Sequence, residues 1–233
     1  MIVRIPSGIR GLDELMGGAS IPENTVTMVY GPPKVGKSIF AYGFAAGGAE
    51  MDEPCLYISA DYGLSDLKRN MAVLGMDPES YMEKELLYVI DAISSISGPA
   101  ADEGSTYFSS SVHNPTDIMV KLGVAIRNIT NRYSMFRSVL DSLTTLMAFN
   151  DEMLIVRVLT AYIMRIKEAG GTAVVTYTEG SADLKVETML KAVVDNIIHL
   201  DGSELTVEAM VGTGRVSAPY TIDDSGIRVV HEG

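Results

Sequence analysis

Eight residues, Gly31-Pro32-Pro33-Lys34-Val35-Gly36-Lys37-Ser38, lie between a β-branched apolar run at 25–30 and a stretch of helical period from about 37 to 51. A strand that passes through a glycine-rich loop directly into a helix favours a fold in which helices cross over a parallel sheet. The chain continues in that rhythm. Strands are expected at 54–60, 86–90, 135–140 and 172–177, and helices at 64–74, 115–131 and 151–169, the last stopped by Gly170-Gly171. In the 64–74 stretch, Leu64, Leu67, Met71 and Leu74 recur at the spacing of one helix face. Beyond Val193 no long helical pattern remains. Short apolar runs at 194–200, 204–211 and 218–230 suggest an antiparallel edge added to the parallel core. The expected fold class is therefore α/β, a mostly parallel sheet flanked by helices.

Size and charge narrow the function classes. The chain has 233 residues, enough to bury a core without disulfide or metal staples, and no linker or repeat divides it, so residues 1–233 are expected to form one domain. The lone Cys55 excludes an intramolecular disulfide and a cysteine zinc cage. The opening MIVRIPSG has no charged-then-apolar leader, and no apolar run approaches the roughly 18 residues of a membrane span, so a soluble, cytoplasmic chain is expected. With 18 Lys+Arg against 30 Asp+Glu the formal net charge is −12, which argues against a general nucleic-acid binder without excluding one. Lys68-Arg69 is the only adjacent basic pair. The Ser- and Gly-rich stretch 94–114 has no clear period and is expected to be mobile or functional. His113, His199 and His231 show no metal-ligand spacing, and His199 reads as a core or rim residue of an apolar strand. The 14 methionines read as core filling ahead of a binding surface.

The 31–38 loop has the spacing G-x-x-x-x-G-K-[ST], and each part has a physical task. Gly31 and Gly36 permit the backbone angles that turn successive N–H groups toward phosphate oxygens. The helix opening at Lys37 adds unpaired donors and a partial positive charge. Lys37 brings a full charge to the β and γ phosphates, and the Ser38 hydroxyl is a ligand for Mg2+. Lys34 is either a further phosphate contact or a solvated loop lysine. Asp141, at the end of the 135–140 strand, is placed to serve the metal from the carboxyl edge of the sheet; the alternative is a helix N-cap aspartate. Thr178-Glu179 ends the neighbouring strand, either facing the γ-phosphate or simply opening a polar loop.

Several segments resemble a known group. The opening Ile5-Pro6-Ser7-Gly8-Ile9-Arg10-Gly11-Leu12-Asp13-Glu14-Leu15, Gly17-Gly18, the phosphate loop, Leu56-Tyr57-Ile58-Ser59 and Val139-Leu140-Asp141-Ser142-Leu143 look like the KaiC-like branch of RecA-fold ATPases, in its single-domain archaeal form. The resemblance covers nearly the whole chain and is weakest between about 94 and 135. It implies a RecA-like P-loop core, ATP as the nucleotide with Mg2+, a homo-oligomer or a RecA-like partner, and nucleotides at subunit interfaces. On this resemblance the nucleotide contacts are Gly31, Pro32, Pro33, Lys34, Val35, Gly36, Lys37, Ser38 and Ile39, with Ser38 and Asp141 toward the metal. Asp224 matches an aspartate that the family places near a nucleotide, and turn chemistry accounts for it equally.

The departures matter as much. Where such proteins carry two adjacent glutamates after the second strand, this chain has Asp61 and Tyr62. Asp61 is one methylene shorter, and a tyrosine with an ordinary pKa of about 10 is no base at neutral pH. The family's Lys-x-Arg pair, which reaches a neighbouring subunit's phosphate, falls on Ala209 and Val211; Arg215 is a substitute or a surface arginine. The expected function is a Mg·ATP-binding regulatory or assembly module with weak or no hydrolysis, in which Asp61 and Glu179 are the candidate catalytic residues. The competing readings are a DNA-dependent recombinase paralogue and a small-molecule kinase. The former lacks basic loops, because 94–114 has no Lys or Arg and 179–186 only Lys185. The latter has no acceptor-site feature.

Overall fold

The structure is a computed structural model that describes residues 2–94 and 104–230. A ten-stranded sheet runs through it, built from β3 (Val26–Gly31), β4 (Cys55–Ser59), β5 (Leu87–Asp91), β6 (Tyr107–Ser109), β7 (Phe136–Asp141), β8 (Gly171–Thr178), β9 (Asn196–Leu200), β10 (Glu204–Ala209), β11 (Val216–Asp223) and β12 (Gly226–Val229) in the order β12-β11-β10-β9-β3-β8-β7-β4-β5-β6. A small antiparallel pair, β1 (Arg4–Ile5) with β2 (Ile21–Pro22), precedes it. The helices are α1 (Leu12–Leu15), α2 (Lys37–Ala49), α3 (Leu64–Val73), α4 (Pro78–Glu83), α5 (Pro115–Thr130), α6 (Leu143–Ala148), α7 (Glu152–Glu168) and α8 (Leu184–Val193).

Strands β3, β4, β5, β7 and most of β8 are buried along their whole length, as expected of a parallel sheet covered on both faces. On one face Leu122, Ile129, Leu159, Ile166 and Leu190 of α5, α7 and α8 pack against Met28, Ile58, Ile90 and Val175. On the other, Phe40 and Phe44 of α2 and Leu67 and Met71 of α3 cover Val29, Tyr57, Val139 and Val174. The N-terminal segment closes on the distal hairpin, where Val229 N–H donates to the Arg10 carbonyl and Arg10 pairs with Asp223 at 2.5 Å.

The antiparallel edge begins one strand later than the apolar runs suggest. β9 lies parallel to β3, and only β10, β11 and β12 alternate in direction. The cause is α8, a crossover helix that returns the chain to the same end of the sheet, so the next strand is parallel. The run at 218–230 divides at the Asp224-Ser225 turn. Of the 94–114 stretch expected to be mobile, 95–103 lies outside the described residues. Of the remainder, 106–112 is packed, with β6 pairing β5 and Val112 buried, while 104–105 and 113–114 are exposed.

Arg137 is an unforeseen feature of β7. It is fully buried, with Nε donating to Glu53 at 2.8 Å, Nη1 to the Phe44 carbonyl at 2.9 Å, and the guanidinium 4.8 Å from the Phe44 ring centre. Gly48 makes room for it, since a Cβ there would lie 2.7 Å from Arg137 Cδ. Arg137→Ala strands the Glu53 carboxylate and is expected to cost about 3–5 kcal/mol in chemical denaturation. Arg137/Glu53 replaced together by Met and Gln should cost less than Arg137→Ala alone.

Candidate functional site

The 31–36 loop leaves the carboxyl end of β3 and delivers the chain into α2. Its backbone bends through three residues of positive φ, Gly31 at 151°, Lys34 at 67° and Gly36 at 101°. Gly31 admits no side chain, because a Cβ would sit 1.9 Å from the Leu200 carbonyl oxygen. Gly36 caps α2 without a side-chain hydrogen bond, which leaves the first-turn N–H groups of a 13-residue helix open to an anion. The Val35 side chain is buried, and its carbonyl accepts from Tyr220 Oη at 2.6 Å, so the distal hairpin holds the loop from outside.

Lys37 folds back within the loop. Its Nζ donates to the carbonyls of Gly31 at 3.1 Å and Pro32 at 2.6 Å. Burial lowers its pKa, opposed by the carboxylates of Asp141, Asp61 and Glu179. Ser38 Oγ donates to Asp141 Oδ1 at 3.2 Å. Asp141 ends β7 and is buried; Thr176 of β8 donates to Oδ1 at 2.5 Å and Tyr57 of β4 to Oδ2 at 2.8 Å. Burial, with Asp61 nearby, pushes its carboxyl up to about 6 against the pull of those hydrogen bonds. The N-cap alternative for Asp141 is overturned. Ser142 caps α6, its hydroxyl accepting from Thr145 N–H at 3.3 Å.

Asp61 faces the same space. Its Oδ1 accepts from Ser142 Oγ at 2.8 Å and from Thr145 Oγ1. Pro33, Lys34, Gly36, Lys37, Ser38, Ile39, Asp61, Tyr62 and Thr178 line a cavity of about 310 Å³. A second cavity of the same volume shares Ser38, Ile39 and Tyr62 and continues over Tyr42, Asn70, Val73 and Leu74. Together they have the size of a site for a small phosphorylated ligand. Ser38 and Asp141 fit a magnesium ion, which commonly takes one or two protein oxygens and completes its shell with phosphate and water.

Lys34 is exposed at the rim of the loop cavity. Other residues singled out in the sequence fall elsewhere. Glu179 donates its backbone N–H to the Gly31 carbonyl at 3.0 Å, but its carboxylate turns away to His199 Nε2 at 3.2 Å. Asp224 is exposed in the β11–β12 turn, and the turn's hydrogen bonds go to Asp223, which accepts from Ser225 N–H at 2.9 Å. That turn nonetheless lies close to the loop: a Cβ on Gly36 would be 2.7 Å from Ile222 Cδ1, and one on Gly226 would be 3.7 Å from Ile39 Cγ2. Arg215 is exposed. At the Ala209–Val211 position the nearby guanidinium is that of Arg4, whose Nη2 donates to the Val211 carbonyl at 2.7 Å. Sequence reasoning missed Thr176, Ser142 and Thr145, which orient the two carboxylates. A polar Thr176 directly after the apolar Ala173-Val174-Val175 run of β8 was the available signal.

The linkage of Asp141 to stability is testable. Its folded pKa lies above the value of about 3.9 for an unfolded aspartate, so the folded chain binds the extra proton and gains stability as pH falls through about 6. In the nucleotide-free protein, the advantage of Asp141→Asn in thermal melting is expected at pH 7.5 and should shrink between pH 7 and 5.

The family model described as "ATPase: KaiC" matches residues 5–233. A UPF0273 protein of Pyrococcus furiosus is 31% identical over 244 residues, covering 98% of this chain and 94% of its own. The circadian clock protein KaiC2 of Synechocystis is 26% identical over 241 residues, which cover 98% of this chain and 40% of that longer protein. The crystal structure of a KaiC-like protein from Pyrococcus horikoshii superposes with a TM-score of 0.76 at 23% identity, covering 99% of this chain and all of that one, a likeness of fold.

Proposed function

This chain belongs to the KaiC ATPase family, and from that premise we propose that residues 1–233 act as one Mg·ATP-binding unit whose nucleotide state controls shape or assembly, with slow turnover. The observation that carries the reading is the joining of Ser38 to Asp141 beside an uncapped helix start and a buried Lys37. Backbone N–H groups of 34–38 would grip the phosphates, Lys37 would leave the Gly31 and Pro32 carbonyls for the β and γ oxygens, and Ser38 with Asp141 would hold Mg2+. The metal would neutralise phosphate charge and orient the terminal group.

Slow turnover follows from what surrounds that grip. Asp61 is the carboxylate that lines the loop cavity, yet two hydroxyls already donate to its Oδ1, and it is one methylene short of a glutamate. A displacement of about 1 Å costs on the order of 100-fold in rate. Ala209 and Val211 stand where the family's Lys-x-Arg pair would be, and the nearby Arg4 is engaged by the Ser20 and Val211 carbonyls and the Thr213 hydroxyl; an arginine supplied in trans is worth roughly 10³–10⁵. Glu179 stands one residue beyond Thr178, with its carboxylate 3.2 Å from His199 Nε2. Tyr62 and the exposed Val73 beside the second cavity fit a ring or filament in which another copy covers the nucleotide. Against a DNA-dependent recombinase, Lys68 pairs with Glu79 and Arg69 with Asp66, so the one basic pair is neutralised by its own neighbours. No helix among the described residues is long and apolar enough to cross a membrane.

Calorimetry with Mg·ATP should show binding that Lys37→Ala abolishes. Steady-state phosphate release is expected well below about 1 s⁻¹, the low end for working enzymes. Brisk turnover, or binding unaffected by Lys37→Ala, would overturn the proposal.

A further inference from the structure

On the α8 face of the sheet, at the carboxyl ends of three adjacent strands, Tyr177 of β8, Tyr30 of β3 and His199 of β9 stand in one register row. Each ring meets a different carboxylate. Tyr177 Oη donates to Glu187 at 3.3 Å, Tyr30 Oη donates to Glu208 at 2.9 Å, and His199 Nε2 lies 3.2 Å from Glu179. Lys191 of α8 covers the Tyr30 ring at 3.8 Å and pairs with Glu187 at 3.0 Å. His199 itself packs on Tyr30 with ring centres 4.6 Å apart.

Of the three carboxylates, Glu179 belongs to a residue anchored on the phosphate loop. Its backbone N–H and the Lys37 ammonium donate to the same Gly31 carbonyl oxygen, and the preceding Thr178 lines the loop cavity. A glutamate side chain turning about its own bonds from that anchor reaches either of two places. One is the His199 ring above β9; the other is the mouth of the cavity, where a terminal phosphate would lie. Two negative groups there repel each other. The first place is the one occupied in this structure.

We infer that His199 is a positioning residue that holds Glu179 off the terminal-phosphate position and thereby favours Mg·ATP over Mg·ADP. The inference rests on the ATP-binding reading of the loop. A carboxylate released to within about 8 Å of the γ-phosphate would act on the triphosphate through partly screened repulsion worth roughly two- to tenfold in affinity, and far less on the diphosphate. The His199 ring supplies the donor, and the Tyr30 ring below it fixes its plane.

The test is calorimetry of the full chain with Mg·ATPγS and with Mg·ADP. His199→Phe keeps a ring on Tyr30 and removes the donor; it should weaken Mg·ATPγS about two- to tenfold and change Mg·ADP by less than twofold. His199→Gln, which retains an N–H donor, should recover most of the loss. Adding Glu179→Gln to His199→Phe should restore the wild-type Mg·ATPγS affinity, a rescue that a purely structural role for His199 would not produce. Equal loss for both nucleotides, no loss, or no rescue in the double variant overturns the inference. Failure of the wild-type chain to bind either nucleotide instead overturns the reading of the loop.

Discussion

A buried carboxylate at the end of β7 is the joint on which the site depends. Asp141 receives hydroxyls from three elements that are distant in sequence, Ser38 of α2, Tyr57 of β4 and Thr176 of β8. These bonds fix where the phosphate loop's helix begins relative to the strand edge. They also offset part of the cost of placing a negative charge in the core, a cost that still shows in a pKa raised to about 6. A group held at such expense is more readily explained by a ligand than by packing. A magnesium ion arriving with phosphate would supply the positive charge that Asp141 lacks, and Ser38 needs no reorientation beyond its hydroxyl hydrogen to share it.

The strand–loop–helix start and the strand–helix alternation were legible because apolar period and glycine placement are local properties. β3, α2, β7 and β8 stand within two residues of their expected ends. The parallel placement of β9 was not legible, since it turns on α8, a ten-residue helix whose amphipathic face is short. Within the site, the spacing of the loop led directly to Lys37, Ser38 and a β-edge aspartate. It gave no sign that Asp61 is shared between Ser142 and Thr145, because those contacts join segments more than 80 residues apart. Likewise His199 read as a core or rim residue, and only the register of β9 on β3 puts it over Tyr30 and within reach of Glu179.

The buried Arg137 shows the same principle at the opposite end of β7. A charge in a core strand looks like a violation of the apolar pattern, yet the missing side chains of Gly47 and Gly48 in α2 leave its room and Glu53 supplies its partner. β7 therefore carries a cation at its amino end and an anion at its carboxyl end, each bonded to α2 or the residues around it, although Arg137 Nη2 is buried without a hydrogen-bond partner. Such pairs add little net stability compared with apolar packing, but they penalise any register in which the charge is left unpaired. We read them as fixing α2 on the sheet at both ends.

That fixation bears on how the loop works. Lys37 satisfies itself on the Gly31 and Pro32 carbonyls, so the cradle is shaped before a ligand enters and its charge is already aimed inward. Exchanging two neutral carbonyls for phosphate oxygens strengthens the bonds of a lysine whose pKa is lowered by burial, which favours binding without moving the backbone. On the proposed reading, hydrolysis would gain nothing comparable. Its candidate carboxylates, Asp61 and Glu179, are engaged by hydroxyls and a histidine that must yield before either can take a proton from water. On the proposed reading, the same arrangement of side chains would lower the cost of holding a triphosphate and raise that of cleaving it, the division of labour of a module whose output is its bound state.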